Sequence, residues 1–295
     1  SKIQELKKII LNKQYIKSKG TVEIKNIKID YIEMLKSKIQ LNKQMKVIID
    51  CGNACGCLTA PKTLKELGID VKELYCNVDS TFPNHHPDPT VDSNLNDIIT
   101  EIKKGDFDLG IAFDGDADRI VAIDEKGKII RSDNLIALFL PETITNENKK
   151  IIFDVKCSEA LENMINYYGG EPLMWKTGHS LIKDKMKQEK ATFAGEMSGH
   201  IFFADDYYGF DDALYVGLRL LKLLSNTDKK LSELTDQIPK YYSTPEMRLN
   251  CKDDDDKFKI TEKAIDYFTS NHDCITIDGV RIKFENGWGL VRSSN

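Results

Sequence analysis

No apolar run in this chain approaches the ~20 residues that a membrane-spanning helix requires, and the first residues carry no signal-peptide core. Neither a helical membrane protein nor a secreted precursor is expected. Missing too is a dense basic stripe with interleaved aromatics: 42 Lys and Arg stand against 47 Asp and Glu, a net charge of −5. That balance argues against a nucleic-acid partner. The 7 cysteines show no paired C-x-x-C framework. Cys51, Cys55 and Cys57, with Cys76 and His85-His86 farther on, make a zinc site conceivable, but structural zinc sites declare four ligands at recognisable intervals. Small thiols buried near a strand end are expected instead, and an odd number of them in a lysine-rich chain reads as free thiols in the cytoplasm. What is present is ordinary for a globular protein: 41% hydrophobic residues, mixed charge, and length enough for two or three domains.

Periodicity supplies the organisation. Residues 1–14 place Ile3, Leu6, Ile9 and Ile10 at helical spacing, and a second helix is expected over 29–39. A buried strand over 46–50 precedes the loop Cys51-Gly52-Asn53, a helix through Leu67 capped by Gly68, and a strand over 71–75. This is the βαβ signature of a parallel sheet. A proline-rich loop (81–89) and a helix near 95–103 lead into a hairpin of two apolar runs, 109–113 and 120–123. After a helix at 134–140 the pattern starts again, with strands at 151–156, 172–175 and 191–196 and a helix ended by Gly169-Gly170. The expected fold class is α/β, with tandem three-layer α/β/α domains on mixed, mostly parallel sheets. A third, α+β unit begins near Tyr242, and its last strand covers 289–292. The four aspartates 253–256 read as a solvated loop.

The turn between the two apolar runs is Asp114-Gly115-Asp116-Ala117-Asp118-Arg119. In a near-extended backbone side chains at i, i+2 and i+4 share a direction. Three carboxylates can therefore converge on one hard cation, most simply Mg2+, with room for a phosphate oxygen, and Arg119 adds a fixed positive charge for an anion. An EF-hand would use Asp114, Asp116, Asp118 and Glu125, but Arg119 occupies the position where its sharp turn needs glycine, and the flanks are strand-like. A plain acidic turn is the other alternative.

Three further loops follow strands. Gly195-Glu196-Met197-Ser198-Gly199-His200 groups a carboxylate, a hydroxyl and an imidazole suited to adjacent sugar hydroxyls, although such a short stretch also fits a polar turn. Lys176-Thr177-Gly178-His179-Ser180 and Lys156 lie at other strand ends, where open parallel sheets bind ligands. Arg292-Ser293-Ser294-Asn295 can clamp a phosphate dianion.

The segments FPNHHPDP, FDGDADR, DVKC, WKTGHSLIK, GEMSGH, GFDDA and GWGLVRSSN occur in an order that resembles the α-D-phosphohexomutase superfamily, most closely its bacterial phosphomannomutase/phosphoglucomutase branch, over nearly the whole chain. The resemblance implies a cytoplasmic, Mg2+-dependent enzyme that interconverts hexose 1-phosphates and hexose 6-phosphates of mannose or glucose. The route would be a phosphoserine, with a hexose 1,6-bisphosphate as intermediate and activator. It implies Asp114, Asp116 and Asp118 as Mg2+ ligands with Arg119 beside them, and Glu196 and Ser198 as readers of sugar hydroxyls. Lys156, His179 and His200 would line the cleft, His200 as a candidate general acid or base, and Arg292, Ser294 and Asn295 would grip the phosphate not being transferred. Four domains are implied around one cleft: residues 1–19 as the tail of the first, 20–130 carrying the metal loop, 131–242 the sugar loop, and 243–295 a partial phosphate-binding domain. The sequence departs from the family in having no T-x-S-H-N-P-like segment, hence no nucleophilic serine, so it is expected to be a fragment that is inactive alone. A phosphosugar is the expected partner, without nucleic acid or membrane, and monomer and dimer stay open. Phosphoglucosamine mutase is the near alternative; a non-catalytic phosphosugar-binding protein and a calcium-sensing module are the distant ones.

Overall fold

The computed structural model describes residues 2–294. Its first part contains α1 (Lys2–Leu11), α2 (Lys28–Lys38), β1 (Lys46–Asp50), α3 (Ala60–Glu66), β2 (Asp70–Leu74), α4 (Asn96–Lys104), β3 (Leu109–Phe113), β4 (Ile120–Asp124) and β5 (Ile129–Ile130). The middle contains α5 (Ser132–Thr143), β6 (Lys150–Asp154), α6 (Glu159–Tyr167), β7 (Glu171–Trp175), α7 (His179–Glu189), β8 (Phe193–Gly195), β9 (Ile201–Phe203), α8 (Ala213–Ser225) and α9 (Leu231–Thr235). The last part contains α10 (Asp254–Thr269), β10 (Cys274–Ile275), β11 (Val280–Phe284) and β12 (Gly287–Val291). Among the described residues no helix is long and apolar enough to cross a membrane.

The tandem expected from periodicity is present. The first sheet runs β2-β1-β3-β4-β5 and the second β7-β6-β8-β9. In each, the founding strand pairs in parallel with its two neighbours, β1 with β2 and β3, β6 with β7 and β8. A hairpin then adds an antiparallel strand, β4 or β9. Alternation sends Ile48 to one face of the first sheet, against Ile98 and Ile102 of α4, and Val47 and Ile49 to the other. In the second sheet Ile152 meets Ile182 and Met186 of α7, while Ile151 and Phe153 face inward.

The inward faces share one core. Helix α5 packs on β4 and β8, and α8 on β3, β4 and β9, so both helices contact both sheets. Phe139 of α5 meets Phe193 and Phe203 of the second sheet edge-on, with ring centroids 6.1 and 5.1 Å apart. Gly217 of α8 lies against Ile111 and Ile120 of the first sheet, where a Cβ would sit 3.3 Å from the Ile111 side chain. A helix between two sheets has no wet face, so its sequence is apolar all round. The buried cation of α8, Arg219, is fully engaged: Glu142 at 2.8 Å, Asp205 at 3.0 Å, and the Phe203 ring 4.3 Å away.

One expectation is corrected, and one helix was not read from the sequence at all. Sequence periodicity did not predict α8, because a helix buried on all sides lacks the apolar stripe that periodicity detects. The aspartates 253–256 form no solvated loop: Asp253 is the N-cap of α10, accepting from the Asp256 N–H at 2.8 Å, and the other three fill its first turn. Carboxylates there complement the positive end of the helix dipole. The third unit is an antiparallel sheet, β10-β11-β12, with α10 against it. It is joined to the second unit by the buried Arg281, whose Nη1 donates to Val155 O at 2.6 Å and Cys157 O at 2.8 Å while its guanidinium lies 3.7 Å over Trp288.

Asp212 holds the first two units together. It caps α8 through the Tyr215 N–H and accepts from Tyr31 of α2 (2.8 Å) and Tyr207 (2.5 Å). Asp212→Ala removes a cap and the acceptor of two hydroxyls, and is expected to cost roughly 2–4 kcal/mol by urea unfolding. Asp212→Asn, which keeps the capping oxygen, should lose distinctly less.

Candidate active site

The acidic loop is built from the ends of β3 and β4. Asp114, 1% exposed, accepts from the backbone N–H groups of Asp118 and Arg119, both at 3.0 Å, and from Arg119 Nε at 2.6 Å. Ala117 takes a left-handed conformation (φ 61°), which folds the hairpin back, and its carbonyl accepts from the Ala213 N–H at 3.1 Å at the start of α8. Ligand atoms of Asp114, Asp116 and Asp118 lie within 4.8 Å of one another. Burial pushes the Asp114 carboxyl up to about 6 despite Arg119 beside it. A cluster of hard oxygen donors, with Asp114 buried, Asp118 half-buried and Asp116 exposed, fits a cation such as Mg2+. The EF-hand alternative falls, since residues 120–124 are strand and Glu125 is bonded to Ser232 at 2.5 Å. Arg119 is more engaged than the sequence suggests, reaching Asp88 of the proline-rich loop with Nη1 at 3.4 Å besides Asp114.

The Glu196–His200 turn meets this loop directly. Ile120 N–H donates to Gly199 O at 3.1 Å. His200 Nε2 lies 3.3 Å from Asp118 Oδ1, and its Nδ1 lies 3.0 Å from Glu196 and 2.7 Å from the Ser198 hydroxyl. Burial disfavours the imidazolium, but the carboxylates of Asp118 and Glu196 outweigh it and hold His200 up at about 9. Glu196, 1% exposed, also accepts from the Gly178 N–H. His179 stacks on His200 with ring centroids 5.4 Å apart. The structure thus brings together Asp114, Asp116, Asp118, Arg119, His179, Glu196, Ser198 and His200. Lys156 is turned to Glu246 at 2.5 Å. Arg292 Nε reaches Asp278 at 3.1 Å, and its Nη2 is buried with no hydrogen-bond partner among the described residues. Ser294 contributes its carbonyl to Lys257 at 2.9 Å, and Asn295 lies outside the described residues.

Four organising residues were not singled out from the sequence. Asp154, fully buried at the end of β6, accepts from Met197 N–H (2.9 Å), the Thr177 hydroxyl (2.9 Å) and the Cys157 thiol (3.1 Å), drawing three loops to one point. Asp50, at the end of β1, accepts from Gly52 N–H at 2.9 Å and meets His85 at 3.1 Å. The signal existed: Lys46-Val47-Ile48-Ile49-Asp50 and Lys150-Ile151-Ile152-Phe153-Asp154 are the same apolar strand ending in the same acid. Asp211, in GFDDA, meets Lys183 at 2.7 Å and His179 at 3.1 Å. Asp278 accepts from the Thr177 N–H at 3.0 Å as well as from Arg292, tying the third unit to the second.

This arrangement is the phosphohexomutase fold. A solved phosphoglucomutase/phosphomannomutase family protein from Burkholderia thailandensis superposes with a TM-score of 0.92 at 40% identity, over 100% of this chain and 63% of that one. Residues 29–127 match phosphoglucomutase/phosphomannomutase α/β/α domain II, and residues 131–242 match α/β/α domain III. Phosphomannomutase/phosphoglucomutases of Pseudomonas putida and Pseudomonas aeruginosa are each 44% identical, over 94% and 99% of this chain. The chain belongs to the phosphoglucomutase/phosphomannomutase family. It spans 60% and 64% of the length of those two relatives.

Gly199 has φ +104°, and a Cβ there would sit 3.0 Å from Ile120 O. Gly199→Ala should therefore destabilise by about 1–3 kcal/mol in urea unfolding. The Asp50 carboxylate raises His85 above the ordinary imidazole value of about 6.5. The stability from this pair is complete below that ordinary value and is lost as pH rises through the higher folded one. In Asp50→Asn, an NMR titration of the His85 ring should show its pKa lowered.

Proposed function

We propose that these residues form the cation-binding and sugar-reading part of a cytoplasmic phosphohexomutase that interconverts hexose 1-phosphates and hexose 6-phosphates of mannose or glucose. The observation that carries this proposal is the direct contact of the two loops: His200 bridges Asp118 of the acidic loop and Glu196 of the polar turn, at 3.3 and 3.0 Å. Asp114, Asp116 and Asp118 would hold Mg2+, which when bound offsets charge on the transferring phosphoryl group. Glu196, Ser198 and His200 offer acceptors and donors to neighbouring sugar hydroxyls. Arg292 holds one guanidinium nitrogen buried and unpartnered among the described residues, ready for an oxygen of the phosphate that stays put. Lys156, released from Glu246, would add a second cation to the cleft. In this proposal residues 1–19, 20–130, 131–242 and 243–295 are successive pieces of a four-domain protein, and the phosphoserine lies outside them. A sugar 1,6-bisphosphate would be the intermediate, with hydroxyl contacts that tolerate both orientations of the ring.

Calorimetric titration with glucose 1-phosphate and mannose 1-phosphate, with and without Mg2+, tests this. Binding should require Mg2+ and be lost in Asp116→Asn, whose side chain is exposed and carries no hydrogen bond or ion pair among the described residues that would confound the result. Equal binding with and without the cation would refute the assignment of the acidic loop.

A further inference from the structure

Directly behind the acidic loop lies a group of thiols that neither the metal nor the sugar site uses. Cys51 follows β1, Cys76 follows β2, and Cys57 sits on the short 3-10 turn Cys55–Leu58. Cys51 is buried, whereas Cys57 and Cys76 are partly exposed. The Cys76 and Cys51 sulfurs are 3.4 Å apart. Local backbone conformation makes that approach: Tyr75, immediately before Cys76, holds φ 52°, a conformation rare for a bulky side chain. Its carbonyl is held by the Asn53 N–H at 2.8 Å. Cys76 itself lies beyond the β2 ladder, so its sulfur can move without breaking strand pairing.

We propose that Cys51 and Cys76 form a peroxide-sensitive dithiol, oxidised in place to a disulfide that shifts the backbone support of the acidic loop. The chemistry balances with hydrogen peroxide as oxidant. The partly exposed Cys76 thiolate attacks one peroxide oxygen, the O–O bond breaks with loss of hydroxide, and Cys76 becomes a sulfenic acid. The Cys51 sulfur then attacks that sulfur and water leaves, so the two thiols lose two electrons and two protons while one peroxide becomes two waters. A disulfide is ~2.05 Å long, so one sulfur must travel more than an ångström. The effect on the acidic loop follows from packing. A Cβ on Gly56 would sit 3.3 Å from the Cys51 sulfur, and the neighbouring Cys55 N–H donates to Gly115 O at 3.2 Å. Because Gly56 carries no Cβ, the Cys51 sulfur lies close over this turn, and moving it changes the packing of the backbone that holds Gly115. Cys57 is the competing partner, since a hydrogen bond from Cys51 holds its thiol below the ordinary value.

The test is peroxide titration of the folded, reduced chain, followed by alkylation and non-reducing peptide mass spectrometry. Expected is a reversible Cys51–Cys76 cross-link that forms in Cys57→Ser and is abolished in Cys76→Ser and in Cys51→Ser. The Cys55 and Gly115 amide resonances should move on oxidation, and Mg2+ affinity should fall about tenfold, the scale on which lost outer support weakens metal sites. A Cys51–Cys57 link overturns the pairing. Oxidation confined to Cys55 and Cys251, with Cys51 and Cys76 still reduced, overturns the proposal altogether. A cross-link that leaves the Cys55 and Gly115 amides unmoved overturns the coupling. The Mg2+ arm rests on the acidic loop being the metal site; if the reduced chain binds no Mg2+, that assignment fails while the mass and amide results still decide the thiol proposal.

Discussion

Two largely buried helices, α5 and α8, set the geometry of everything else. Each is pressed against both sheets, so the two α/β units share one apolar core and cannot slide past each other without exposing it. Burial of that kind is worth about 25 cal/mol per Å2 and has no direction of its own. Direction comes from the polar contacts at its margin: Asp212 with its two tyrosines, Arg219 with its two carboxylates, and the bond from Ala213 to Ala117. Through that last bond the start of α8 sits on the acidic loop itself. The loop that gathers carboxylates and the loop that presents Glu196 and His200 are thus two ends of one rigid assembly.

Charge is organised by repetition. Each founding strand, β1 and β6, ends in a buried aspartate that accepts from the loops around it. Asp50 fastens the histidine of the proline-rich loop, and Asp154 fastens the Thr177 and Met197 loops. A buried carboxylate is costly unless its oxygens are satisfied, so loops that supply donors are drawn to the strand end and ordered there. The third unit uses the same device at smaller scale, with Asp278 receiving both Thr177 and Arg292.

Much of this was legible in the residues. The Asp114–Arg119 hairpin announced itself because alternating carboxylates between two buried strands leave few other uses for the turn. The Glu196–His200 turn gained weight from its place after a strand. Strand positions and the tandem of two similar units followed from short apolar runs separated by glycine. What escaped had definite causes. Helix α8 is buried along most of its length, and α10 begins with acids that look like a loop until their capping bonds are seen. Asp154 ended a strand already recognised, but nothing local tells a buried acceptor of three loops from an ordinary strand-end acid. Asp211 and Asp278 act through partners that lie far away along the chain.

The sequence by itself determined the element types, the doubling of the α/β unit and the chemistry of each loop, because these depend on side chains within a few positions of one another. Only the tertiary structure decided which loops meet: His200 beside Asp118, Arg292 bound through Asp278, Cys76 turned onto Cys51, Lys156 paired with Glu246. Those contacts join residues up to 90 positions apart (Lys156 and Glu246, by their numbers). The first of them exists because a shared core fixes two sheets at one angle and distance, a constraint that no local spacing of residues encodes.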